Sequence, residues 1–174
     1  MKKFTKFIVT SVFLFFCTYS YAEQKIAYID MKFVLNNSKA GKGAQDQLTK
    51  TFKLNQKKFT DMEKQLRKEE NDLISSKANI SKEDYQSKSK NLRKKVQSYQ
   101  SERKKSLDKI SQQRAEARKQ LLKKLDPIIE NYIKENNIIM VIDKKNVVMG
   151  AAELDITKTV VDKLNKELPS LKLK

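Results

Sequence analysis

The stretch AQDQLTKTFKLNQKKFTDMEKQLRKEENDL, residues 44–73, decides the fold. Leu48, Phe52, Phe59, Met62, Leu66 and Leu73 fall on one stripe, and the polar residues Asn55 and Glu69 fill its two remaining positions. Leu48 to Leu73 is 25 residues in seven steps, about 3.57 per step. That is close to the 3.5 of a left-handed coiled coil, so the stretch predicts a long helix whose seam needs a partner.

The partner lies downstream. Ser75 to Ile80 breaks the pattern, and Ser81-Lys82-Glu83-Asp84 reads as a capping box opening a second helix. Its stripe runs through Leu92, Val96, Tyr99, Arg103, Leu107, Ile110, Arg114, Ala117, Leu121, Leu125, Ile128 and Tyr132. That is 40 residues over eleven steps, about 3.64, nearer a straight helix pair than a tight supercoil. Pro127 predicts a kink, or a new segment after Asp126. Helices of about 30 and 50 residues make an antiparallel hairpin of roughly 45 and 75 Å rods. This hairpin, residues 44–135 with its tip near 75–81, is too long for a compact domain and should project as an arm. The polar seam positions Asn55, Glu69, Arg103 and Arg114 predict a loose grip that lets the arm splay; the alternative is pairing across the seam, with Glu69 and Arg93 as candidate partners.

The flanks read differently. Lys25 to Asp30 is a short strand with Ile26 and Tyr28 on one face and Ala27 and Ile29 on the other. Met31 to Leu35 reads as a short helix or a continuation, and Asn36 to Gly43 as a polar loop. Ile138 to Asp143 is an apolar strand containing Ile139 and Val141; Asp143 to Asn146 reads as a turn, and Val147 and Val148 start a return strand ending at Gly150, a β-hairpin. Asp155 or Thr157 caps a last helix with Val160, Val161, Leu164 and Leu168 on one face, stopped by Pro169. The fold class is therefore α+β, mostly α, with residues 23–43 and 136–174 forming a small β body. Three short strands leave open edges and too little core, which predicts a body shared between subunits through Ile26, Tyr28, Ile29, Ile139, Val141 and Val147.

The chain opens with a segment of another kind. Lys2, Lys3 and Lys6 precede an apolar run from Phe7 to Cys17, and Ser20-Tyr21-Ala22 places small residues at a cleavage site. Residues 1–22 read as a secretory signal peptide, with the mature chain starting at Glu23. An uncleaved anchor and a lipid-modified Cys17 are the alternatives; the run is short for a span, and Phe15 and Phe16 crowd the cysteine. Cleavage leaves 174 − 22 = 152 residues, with 38 − 3 = 35 Lys and Arg against 21 Asp and Glu, or +14.

Composition narrows the function. The chain has no histidine, and its one cysteine leaves with the signal, so the usual zinc, haem-thiolate and iron–sulfur ligands are missing. Three glycines form no phosphate loop. No enzyme, metal site or cofactor is expected. The segment Lys77 to Lys105 holds ten Lys or Arg against Glu83, Asp84 and Glu102, a net +7. It reads either as a solvated helix face or as a positive arm tip that attracts acidic clients or anionic lipid head groups. The candidate client-binding residues combine that charge with the stripe: Phe52, Phe59, Met62, Leu66, Lys88, Arg93, Lys94, Lys95 and Tyr99. The plainer reading of the apolar members is a helix–helix seam.

Over its whole mature length the chain resembles the Skp/OmpH family of periplasmic chaperones. The likeness rests on the signal, Lys25-Ile26-Ala27-Tyr28-Ile29-Asp30, the charged hairpin, Ile139-Met140-Val141-Ile142-Asp143, and Val147-Val148 followed by Asp155-Ile156-Thr157 and a final helix. Asn137-Ile138 departs from it, standing where many members have Gly and an aromatic residue. The resemblance implies a homotrimer with a shared β-barrel body and three helical arms around a cavity. It implies an ATP-independent periplasmic holdase for unfolded outer-membrane proteins. Lipopolysaccharide is a further partner the resemblance raises, without matching residues here. A basic nucleic-acid-binding protein and a coiled-coil spacer of the envelope are the competing readings. Export argues against the first, so no nucleic acid is expected; the polar seam positions and the lack of a mature anchor argue against the second.

Overall fold

The computed structural model describes residues 25–173. The signal peptide and the start at Glu23 lie outside the described residues. Strand β1 (Lys25–Ile29) is followed by α1 (Met31–Asn37), α2 (Lys39–Ser76) and α3 (Lys82–Glu135). Then come β2 (Ile138–Asp143), two short 3₁₀ turns, and α4 (Thr157–Glu167).

The β1 and β2 strands pair in parallel, Ala27 opposite Val141 and Ile29 opposite Asp143. Parallel neighbours need a long crossover, and here it consists of α1, α2 and α3. The expected β-hairpin over 138–150 is not formed. The Asp143 carboxylate accepts from the Lys145 N–H at 3.2 Å and starts a 3₁₀ turn over Lys144–Asn146, so the chain leaves the sheet plane. Val147 is half-buried and Val148 is fully exposed in the single chain. It is Asp155, further on, that bridges Tyr28, with the Ile156 N–H donating to the Tyr28 carbonyl at 3.0 Å.

The expected loop over 36–43 is also corrected. Only Ser38 separates α1 from α2. Ser38 caps the second of these helices, its Oγ accepting from Gly41 N–H at 3.2 Å, as Asp30 caps the first, its Oδ1 accepting from Phe33 N–H at 2.7 Å. Asn165 Oδ1 takes the Lys39 N–H at 2.6 Å and ties α4 to the same junction. Helix α3 runs as one element through Pro127, so no new segment begins after Asp126. Asn137 has φ 53°, a left-handed position after the helix end that glycine or asparagine suits. This explains physically why Asn can stand there.

The core gathers around the sheet. Ala27, Ile29, Val34, Leu125, Val160 and Leu164 are buried together, and Ala44 and Ala117 carry this cluster into the roots of α2 and α3. Each inward residue follows from local pattern: alternate residues of β1, and one face of α4. The segment between the 3₁₀ turns is clamped as well. Lys144 Nζ meets Asp155 Oδ2 at 2.6 Å and lies 5.6 Å from the Tyr28 ring centroid, while Tyr28 donates to the Ala151 carbonyl at 3.1 Å. Burial works against the Asp155 carboxylate, but hydrogen bonds from Lys144 and Thr157 outweigh it and hold its pKa below the usual value. That depressed pKa adds stability that is present above the ordinary carboxylate range and lost as pH falls through the folded value. Asp155→Asn should therefore melt below the wild type at neutral pH, with the gap closing in strong acid. A gap that widened in acid would contradict the clamp.

Candidate functional site

Helices α2 and α3 pack antiparallel along the expected seam, and the seam shows which residues remain available. Phe59 is buried and meets Tyr99 edge-on, with ring centroids 6.0 Å apart at 72°. Met62, Leu66, Leu73, Leu92 and Val96 are only half-buried, because two helices cannot enclose their own seam. Phe52 is nearly half exposed and lines a small groove with Phe59 and Tyr99.

Beyond Tyr99 the second stripe departs from expectation at three positions and keeps it at Ile110, Ala117, Leu121, Leu125, Ile128 and Tyr132. Arg103, Leu107 and Arg114 are exposed, while Ser106, Ile110 and Gln113 turn inward. Tyr99, Ser106 and Gln113 follow a seven-residue step, but Gln120 is exposed and the buried Ala117, Leu121, Leu125 and Ile128 keep the straighter spacing expected. The seam's polar positions are paired. Asn55 Nδ2 donates to Ser106 Oγ at 2.7 Å. Glu69 bonds Lys95 at 2.7 Å, not Arg93, and Lys58 bonds Glu102 at 3.2 Å. The hydrogen bond from Lys95 holds the Glu69 carboxyl below its usual pKa against the opposing effect of burial, and Lys58 with Ser98 lowers that of Glu102. The pairing alternative thus replaces the loose seam, and two of the four supposed seam breaks are solvent-facing.

The distal third of the hairpin has two unlike flanks. On one, Lys88, Asn91 and Lys95 of α3 face Glu69, Asp72 and Ser76 of α2. On the other, Leu66, Leu73, Ile74, Tyr85, Val96 and Tyr99 line an open groove of about 680 Å³. Arg93 belongs to this second flank, and a shallow shelf beside it carries Lys90 and Lys94. Of the expected client-binding residues, Leu66, Arg93, Lys94 and Tyr99 therefore converge. Lys88 and Lys95 lie across the seam from them, and Phe52, Phe59 and Met62 sit nearer the root. Ile74 and Tyr85 were missed by sequence reasoning. Ile74 widens the stripe beside Leu73, and Tyr85 lies seven residues before Leu92; both signals sat next to a stretch read as a break.

Among the described residues no helix is long and apolar enough to cross a membrane, and no group of three or more His, Cys, Asp or Glu is placed to hold a metal. The residues expected in a shared body divide in a similar way. Ile29 is buried within the chain, Tyr28 and Val141 are half-buried, and Ile26 and Ile139 are exposed.

Known proteins resemble this chain in sequence and in fold. A "Skp-like protein" of Pseudomonas aeruginosa PAO1 is 26% identical over 95% of this chain and 99% of its own length. A crystal structure from Caulobacter crescentus CB15, described as that of a candidate OmpH-like outer membrane chaperone, has a TM-score of 0.79 at 17% identity and covers 90% of this chain and 93% of its own. That likeness extends to the long helices and the small sheet. The family described as outer membrane protein (OmpH-like) matches residues 25–164, most of the chain, and the protein belongs to that family.

Proposed function

We propose that the mature protein is an ATP-independent periplasmic holdase that binds unfolded outer-membrane proteins between helical arms and keeps them from aggregating. The observation that supports this best is the distal hairpin: a half-exposed apolar seam flanked by Lys88, Lys90, Arg93 and Lys94, none of which forms an ion pair among the described residues. Such a surface attracts anionic and apolar chain over distance and then holds it by contacts salt does not screen. Residues 44–135 serve as the arm in this reading. Residues 23–43 and 136–174 serve as the body, which joins three copies through the free edge of β2.

Replacing Lys88, Arg93, Lys94 and Lys95 with Gln should slow capture of a urea-unfolded outer-membrane barrel several-fold at low salt. The difference should nearly vanish near 1 M salt, where the Debye length is about 3 Å. Dissociation should change little with salt. Stopped-flow association rates at two salt concentrations, with light scattering to follow client aggregation, test this. Wild-type protein that fails to suppress aggregation would remove the holdase reading. An unchanged low-salt rate for the variant would reduce the cations to a solvating face.

A further inference from the structure

The two flanks of the distal hairpin cannot be equivalent to a client. On the flank of Lys88 and Lys95, the Glu69–Lys95 ion pair crosses the seam, and Asp72 sits beside it. Acid and base are interleaved there, and a client's charge would find both signs. On the other flank the two rims carry opposite charge. The α2 rim holds Glu63, Arg67 and Glu70, with Glu63 and Arg67 paired at 2.9 Å, leaving a net negative edge. The α3 rim and shelf hold Lys90, Arg93 and Lys94 with no acid among the lining residues. Between the rims lies apolar surface: Ile74 is 60% exposed, and Tyr85 lies under Lys77, whose Nζ is 5.7 Å from the ring centroid. Lys77 adds positive charge at the distal end.

The geometry points to this one flank as a binding groove for an extended polypeptide segment in which apolar residues alternate with polar ones that include Asp or Glu. The inference rests on the holdase reading and gives that activity a defined site. Along α2 the groove runs from Glu63 to Ile74, eleven helical steps, or about 16 Å at 1.5 Å per residue. At about 3.3 Å per residue an extended chain passes roughly five residues through it. Alternate side chains then enter the apolar floor between Leu66 and Tyr85, and the intervening ones stand at the groove mouth, where long ones reach the rims. Carboxylates on the α3 side meet Arg93 and Lys94. Strands of membrane β-barrels have this alternation, so an unfolded barrel offers such segments repeatedly. Repeated weak engagement over several arms adds by effective concentration.

The test measures binding of a fluorescein-labelled ten-residue peptide, alternating Leu or Tyr with Ser and Glu, to the intact mature protein by anisotropy. Arg93→Glu with Lys94→Glu should weaken it about tenfold at low salt. Lys57→Glu with Lys64→Glu makes the same change in net charge on exposed positions that line neither flank, and should cost less than about twofold. Ile74→Ser should weaken both this peptide and a version with Gln in place of Glu, since the floor is shared. Circular dichroism confirms that each variant keeps its helix. Equal losses from the two charge pairs, or equal binding of a peptide with Lys in place of Glu, would overturn the groove. So would phosphatidylglycerol vesicles that displace the peptide and show the same dependence on Arg93 and Ile74, because the site would then be lipid-binding. Suppression of barrel aggregation is measured in parallel. If it persists while the peptide does not bind, the groove is wrong and the holdase reading stands; if both are absent, the holdase reading falls.

Discussion

Ile29→Asp is expected to unfold the body, whereas Ile139→Asp is expected to leave the single chain folded and abolish the self-association proposed for it. The two residues sit on paired strands but in different surroundings. Ile29 is 2% exposed and packs in the cluster of Val34, Val160 and Leu164. Losing its burial costs about 2–3 kcal/mol, and a carboxylate in the same place costs several more without a partner. Together these approach the whole stability of a domain, about 5–15 kcal/mol. Ile139 is 56% exposed, on a strand whose far edge has no neighbour among the described residues. A charge there costs the monomer little, but it blocks edge-to-edge pairing. Thermal melts followed by circular dichroism separate the two, and sedimentation reads the assembly. The Phe59–Tyr99 part of the hairpin lies away from the sheet, so Ile29→Asp should keep part of its helical signal. Wild-type melting of Ile29→Asp would mean that β1 is not in the core. Wild-type sedimentation of Ile139→Asp would mean that copies do not meet at this edge.

What the sequence disclosed and what it hid follow from the range of the interactions involved. The hairpin was legible because its seam repeats over many turns, and a repeat survives single exceptions such as Asn55. The exact stripe of α3 was less so. Leu107 is apolar and Ser106 is not, so hydrophobicity alone pulled the stripe off its seven-residue step. In the structure Ser106 earns its inward place through Asn55, 51 residues away. The strands were visible as apolar runs, but their partnership was not. Val147 and Val148 are close to Ile138–Asp143 in sequence and invite a hairpin. The actual neighbour, Lys25–Ile29, is more than a hundred residues off, and only the shared core, in which Ile29 and Ile138 are both buried, brings them together.

The polar stretch Asn36 to Gly43 shows the same difficulty at short range. Asn, Ser and Gly are loop residues by composition, yet one Ser capping the next helix makes the stretch nearly all helical. The candidate site was legible in kind, as apolar stripe plus cations, but not in arrangement. Which flank Lys88 or Arg93 joins depends on one helical step relative to the seam. That step is fixed only once the register of α2 against α3 is known.

The same junction gives the other large expected effect, in which two neighbouring glycines respond with opposite signs. Gly41 is buried in the first turn of α2, against the last turn of α1. A Cβ on it would overlap the Leu35 carbonyl oxygen and lie 2.9 Å from both the Leu35 carbonyl carbon and Ser38 Oγ. Those atoms are backbone or a capping hydroxyl, so relief requires moving α1, whose Val34 is buried in the core. Gly41→Ala gains helix propensity of about 1 kcal/mol but meets an overpacking cost that exceeds it, commonly 1–3 kcal/mol and more where backbone must shift. Gly43 is one half-turn on, and no atom lies within 4 Å of where its Cβ would be. Gly43→Ala therefore keeps the whole propensity gain of about 0.5–1 kcal/mol. Chains of this size shift roughly 2–4 °C per kcal/mol, so Gly41→Ala should melt several degrees lower and Gly43→Ala a few degrees higher than wild type. Differential scanning calorimetry at one protein concentration measures both, which keeps self-association constant between samples. Shifts of the same sign would mean that α1 and α2 do not meet at Gly41. Opposite shifts would locate the close approach there, at the single-residue joint that sets the direction in which α2 leaves the body.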